Sequence, residues 1–243
     1  MNIFIPVIFI ACLLQSFGGF GAGLFAVPIL TFLWEPKIII PACILIFWSL
    51  NLILLFETRK NIRWNQILNF FYGAIAGIPC GLFFLKYLNP EILKGLISVI
   101  TILFGILFLR GKELPIKDTS KTRISAGILS GFFSGSSSMG GPPIIIFGMS
   151  LKWRKDLFRS TLIGYFSIAG IINVGLLILT ELINPYNIKF TLYGIIPALA
   201  GFYSGVKLKN RISELRFRKA TLFIIILIGL IGLFKIILGI TLN

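Results

Sequence analysis

The chain has no histidine, and only eight of its 243 residues are acidic. The carboxylates sit in loops and at the ends of apolar runs. The clustered His, Asp or Glu of a membrane metalloprotease or metal-dependent hydrolase therefore cannot be assembled. A buried carboxylate proton relay is excluded on the same ground. Cysteine is scarce too. Cys12, Cys43 and Cys80 lie in apolar stretches without metal-ligand spacing and read as small buried residues. The sequence calls for no cofactor, no metal and no catalytic residue, so it does not read as an enzyme. Charge is sparse, at 13% of residues, where soluble domains carry about a quarter.

Apolar residues fill that space: 57% of the chain, with a mean hydropathy of +0.98. Water could not solvate a fold with so much apolar surface, so the solvent for most of the chain is lipid. Long unbroken runs, rather than alternating strands of about ten residues, select helices over a closed barrel. The expected fold is an all-α polytopic membrane protein with about eight hydrophobic segments, near 2–33, 38–56, 65–85, 92–109, 124–150, 160–181, 190–206 and 220–241. The start, MNIFIPVIFIACLL, lacks a basic leader and reads as retained structure rather than a cleaved signal. Lys235, near the end of the last run, reads as a snorkelling residue.

Two segments are interrupted. The first breaks at Gly18-Gly19-Phe20-Gly21-Ala22-Gly23, followed by Pro28. The second breaks at Ser134-Gly135-Ser136-Ser137-Ser138-Met139-Gly140-Gly141-Pro142-Pro143. Charge says how they run. If all eight segments cross, the basic residues divide almost evenly between the two sides. If both broken segments are re-entrant, loops 57–63, 110–123, 151–159 and 207–219 share one side with eighteen Lys and Arg, and only Lys37, Lys86, Lys94 and Lys189 face the other. The positive-inside rule prefers the second arrangement, with six crossings and two hairpins. The same rule explains the net charge of +15 by topology and anionic lipid contact rather than by nucleic acid.

The halves match each other. Phe20-Gly21-Ala22-Gly23 corresponds to Met139-Gly140-Gly141-Pro142 at an offset of 119, Lys37 and Asn51 to Arg159 and Asn173 at 122, and Gly77-xxx-Gly81 to Gly201-xxx-Gly205 at 124. One transmembrane domain over 1–243 is expected, with inverted repeats 1–109 and 124–243 joined by a cytoplasmic linker, 110–123. Broken helices at matching positions are a pointer to a binding site near the bilayer midplane. Gly19, Gly21, Gly23, Gly140 and Gly141, with Ala22 between them, let backbone approach a ligand. Helices resuming near Leu24 and Pro142 would aim free N–H groups at it, as an anion requires. Ser136, Ser137 and Ser138 add hydroxyls. Asn51 and Asn173, and Gln15 at the lip of the first break, either face the cavity or hydrogen-bond between helices. Close packing through small residues is the competing reading of the Gly runs.

These motifs resemble the sulfite exporter TauE/SafE family, also called the 4-toluene sulfonate uptake permease family. The resemblance rests on Gly19-Phe20-Gly21-Ala22-Gly23 with Val27-Pro28, on Ser130-Gly131-Phe132-Phe133-Ser134-Gly135 leading to Gly140-Gly141-Pro142-Pro143, and on Arg159-Ser160-Thr161. It implies a permease of the bacterial cytoplasmic membrane for sulfite, sulfonates or related organosulfur anions, working by alternating access. Ala22 and Ser138 depart from the family's glycines. An anion channel and a non-transporting scaffold stand as alternatives. The expected partners are a small anionic substrate and membrane lipid, with coupling ion and homo-oligomerisation left open.

Overall fold

The computed structural model describes the chain except residues 1, 19–20, 60–61, 63, 112–113, 209–213 and 238–243, and the side chains of 17, 18, 57, 155, 214–221, 225 and 235–237. Gly19 and the side chain of Lys235 therefore lie outside the described residues. Among the described residues ten helices follow one another: α1 (Phe4–Gly18), α2 (Ala22–Leu33), α3 (Pro36–Thr58), α4 (Trp64–Tyr87), α5 (Pro90–Arg110), α6 (Ser120–Ser137), α7 (Gly141–Ser150), α8 (Lys155–Leu179), α9 (Pro185–Leu208) and α10 (Glu214–Ile237). No strand occurs among the described residues. The chain is an all-α polytopic membrane protein, and its eight apolar segments become ten helices because both interrupted segments divide in two.

Among the described residues four helices are long and apolar enough to cross a membrane by length and composition: α3 over Pro36–Phe56, α4, α5, and α8 over Asp156–Leu179. The sequence led to six such spans. α9 and α10 have the length, 24 residues each, or about 36 Å at 1.5 Å per residue. α9 carries more polar residues, and the described apolar part of α10 runs over Leu222–Phe234.

Both interrupted segments are hairpins. Phe4 opens α1 and Trp34 follows α2, yet their rings meet edge-on at 6.2 Å, and both pack on Phe190 at the start of α9. Entry and exit therefore share one end of the bundle. Lys37 Nζ donates there to the Lys86 carbonyl at 2.9 Å, and Lys86 Nζ to the Thr180 carbonyl at 3.0 Å. Cations belong at these helix C-terminal ends, where carbonyls lack intrahelical partners. The second hairpin opens at the other end. Arg123 in α6 donates to the Gln66 carbonyl and lies over Phe70. Phe70 in turn stacks edge-on with Phe147 of α7 and with Trp153 beyond it. The Leu114 N–H donates to Ser150 Oγ, tying the linker to the end of α7. On the same side Asp118 pairs with Arg123 at 2.6 Å, and these hydrogen bonds hold its carboxyl below the usual carboxylate range.

Each hairpin's first helix packs on the fourth helix of the opposite half, α1 on α9 and α6 on α4. Glycine sets the separation. A Cβ on Gly77 or Gly81 would run into the carbonyls of Ile128 or Phe132, and one on Gly127 or Gly135 into those of Phe70 or Ile78. Gly201 and Gly205 sit likewise against the Phe9 and Leu13 carbonyls of α1. Small residues at such spacing let backbones touch, which is how helices gain dispersion energy where lipid supplies no hydrophobic drive. α3 crosses α8 and also packs on α9, while α8 packs on α4. One expectation is corrected here. Cys12 and Cys43 are buried, but Cys80 is exposed on α4. A thiol is apolar enough to face lipid, so an apolar neighbourhood did not imply the interior.

Candidate functional site between the hairpin tips

The hairpins enter from opposite ends, and their tips touch. Gly23, in the first turn of α2, lies so close to the Ser138 carbonyl at the end of α6 that no Cβ could be placed there. The turns are built differently. Gly21 caps α2 with φ 106 and ψ −13, a conformation that an L side chain strains to adopt, and the space around its missing Cβ is open. α6 instead ends on Ser138 at φ 56. Its N–H reaches the Ser134 carbonyl at 3.0 Å, and the Met139 N–H reaches that of Phe133 at 3.1 Å. This is the paired closure that usually places glycine at the left-handed position.

Beside the contact lies a cavity of about 700 Å³, counted to its open mouth. Gln15, Gly21, Ala22, Gly23, Asn51, Ser138, Gly140, Gly141, Pro142 and Asn173 all line it, so the structure brings ten of the thirteen candidates together. Ser136 and Ser137 are not among the lining residues. Their hydroxyls turn back onto the Phe132 and Phe133 carbonyls of their own helix, each at 2.8 Å. Gly19 is outside the described residues. The sequence reading missed Ser134, Trp48, Phe47, Ile44, Phe166, Met139 and Gly170, which complete most of the wall. Trp48 is three residues before Asn51, on the same helix face, which is the signal that could have found it.

None of the lining residues is charged. The polar wall consists of amides and a serine hydroxyl in hydrogen-bonded pairs. Asn51 Nδ2 donates to the Phe47 carbonyl at 2.9 Å, and Gln15 Nε2 to Asn51 Oδ1 at 3.5 Å. Across the cavity Asn173 Nδ2 donates to Ser134 Oγ at 3.0 Å. Gln15 and Ser134 differ by 119 and the asparagines by 122, the offsets that relate the halves. Each asparagine bonds to a residue of another helix and each lines the cavity. Gln15 Oε1 and Asn173 Oδ1 are buried without a partner.

Two helices start at the cavity, and no side chain caps either. In α2 the Phe25 N–H donates to the Gly21 carbonyl, and among the described residues the N–H groups of Ala22, Gly23 and Leu24 have no helical acceptor. In α7 the corresponding positions are Gly141, Pro142 and Pro143. Proline has no N–H, so only Gly141 can donate from those three. The first terminus is the richer donor, and both carry the partial positive charge of a helix start.

A family model described as sulfite exporter TauE/SafE matches residues 4–231. The chain is 24% identical, over 97% of its own length and 95% of the relative's, to a protein of Methanocaldococcus jannaschii named as a probable membrane transporter protein. No solved structure matches.

Proposed function

The chain belongs to the sulfite exporter TauE/SafE family and is a multi-pass membrane transporter; on that premise we propose that it carries a small anion, of the sulfite, sulfonate or related organosulfur class, by alternating access around the two hairpin tips, and that it catalyses no reaction. The observation that carries this reading is the pair of uncapped helix N-termini, from hairpins of opposite entry, opening into one cavity without charged side chains. Backbone N–H groups bind an anion without burying a full countercharge, whose desolvation costs several kcal/mol. They also hold it loosely enough to let go. Ala22, Gly23 and Leu24 present the main donors, Gly21 and Gly140 let backbone approach, and Gln15, Asn51 and Asn173 orient the bound group.

We further read the chain as two inverted repeats, 1–109 and 124–243, in one domain. The reading is supported by the matching helix pairs, α1 on α9 with α6 on α4, and α3 on α9 with α8 on α4. It is also supported by the matching hydrogen-bonded pairs Gln15–Asn51 and Ser134–Asn173. A structure of two such halves can exchange its open side by rocking one against the other about a fixed central site. The test is flux of labelled sulfite and sulfonates into proteoliposomes. Saturable uptake that unlabelled anion competes away supports the carrier; unsaturable flux at channel rates, or none for any anion, counts against it.

A further inference from the structure

We propose that Gln15 reads a hydrogen-bond donor on the bound anion, so that the cargo is a monoanion retaining an O–H or N–H rather than one that only accepts. This rests on the anion reading above and narrows it. The argument is a chain of hydrogen bonds that fixes which way each amide points. The Phe47 carbonyl can only accept, so the Asn51 atom 2.9 Å from it is the nitrogen. The other end of the Asn51 amide is then its oxygen. Gln15, which meets that oxygen, must turn its nitrogen toward it. The oxygen of Gln15 is left over. It is buried and has no partner, in a residue only 3% exposed that lines the cavity.

Asn173 is not constrained in this way. Its partner is the Ser134 hydroxyl, which can donate or accept, so this amide can present either end to a ligand. Gln15 alone sets a polarity. A buried acceptor without a donor is costly and calls for an explanation. Among the described residues no charged side chain lines the cavity, so none of them supplies a titrating proton there. The ligand brings the donor. Its charge is met by the N–H groups of Ala22, Gly23 and Leu24 and its donor by Gln15 Oε1. Discrimination is strong in such sites because an analogue lacking the donor leaves the acceptor buried and unpaired.

Sulfamate and methanesulfonate test this directly. Both are monoanions at neutral pH with the same sulfonate head, but sulfamate carries N–H groups where methanesulfonate carries a methyl. Binding of each to the full chain in nanodiscs, by calorimetry, should favour sulfamate by about tenfold, and Gln15→Met should bring the ratio toward one. A ratio near one in the unsubstituted protein, with both anions bound, overturns the donor proposal and leaves the anion reading standing. Sodium-dependent binding without preference between the two also overturns it, by assigning the Gln15 oxygen to a cation. Binding of neither anion at millimolar concentration overturns both readings. The comparison in the unsubstituted protein decides the matter even if the Gln15→Met chain does not fold.

Discussion

The indole of Trp48 occupies the space that a side chain on Gly170 would need: a Cβ there would meet indole Cδ1 first. The indole N–H donates to the Ser167 carbonyl at 3.0 Å, which pins the ring. Residues 48 and 170 are 122 apart, the offset that relates Asn51 to Asn173. Matching positions of the two halves thus hold the largest side chain and none. The cavity is lopsided although its helices pair symmetrically. Gly170→Ala should displace Trp48 and weaken anion binding, and Trp48→Ala should relieve that clash. In a double-mutant cycle the two should couple by about 1 kcal/mol or more, read as anion affinity. Simple additivity would mean that the ring and the glycine do not constrain each other.

The two hairpin turns should respond oppositely to glycine exchange. Gly21→Ala places a Cβ at φ 106 and should lower stability by roughly 1–2 kcal/mol, seen as a lower melting temperature in detergent. Ser138→Gly removes a side chain from φ 56 and should raise stability by up to about 1 kcal/mol. If both lower the melting temperature, Ser138 holds the turn by something other than its backbone.

Glycines in open and closed surroundings should also differ in sign. Gly77→Ala drives a Cβ into the Ile128 carbonyl and should destabilise by about 1–3 kcal/mol through overpacking. Gly175, inside α8, has nothing within 4 Å of its Cβ position. Gly175→Ala should be neutral or stabilise by up to about 1 kcal/mol, from helix propensity alone. Thermal unfolding of the two variants checks this, and equal losses would contradict the backbone contact between α4 and α6.

Hairpin entry from opposite ends gives a labelling prediction. In a background without native cysteines, Asn89→Cys and Lys152→Cys both lie on exposed loops. An impermeant thiol reagent added to intact cells should modify the first and spare the second, because the basic end faces inward. Labelling of both, or of Lys152→Cys alone, would refute this topology.

The eight apolar segments, the two breaks and the amides Gln15, Asn51 and Asn173 were all legible in the sequence. Each is a polar or flexible interruption that lipid makes expensive, so each stands out. The hairpin direction was legible through the lysines and arginines. Trp48, Phe47, Ile44 and Phe166 were not, because in a membrane both the lipid face and the interior are apolar, and periodicity cannot tell them apart. For the same reason Cys80 was expected inside and lies outside. Ser136 and Ser137 were grouped with Ser138 by adjacency. The first two are in helical turns where a hydroxyl finds the carbonyl four residues back, and only Ser138 lies past the helix end. Ser134, whose hydroxyl accepts from Asn173 at 3.0 Å, was not legible because it is one hydroxyl among several in the Ser-Gly run.

The central claim is that an anion sits between two hairpin tips that enter from opposite sides. Selenite, a heavier oxyanion with the shape of sulfite, can be located by its anomalous scattering in crystals of the full chain. The account predicts one strong peak in the cavity, within hydrogen-bonding distance of the Ala22–Leu24 N–H groups and between Asn51 and Asn173. A peak elsewhere in the bundle, or none there under conditions in which selenite competes with sulfite for binding, would contradict it.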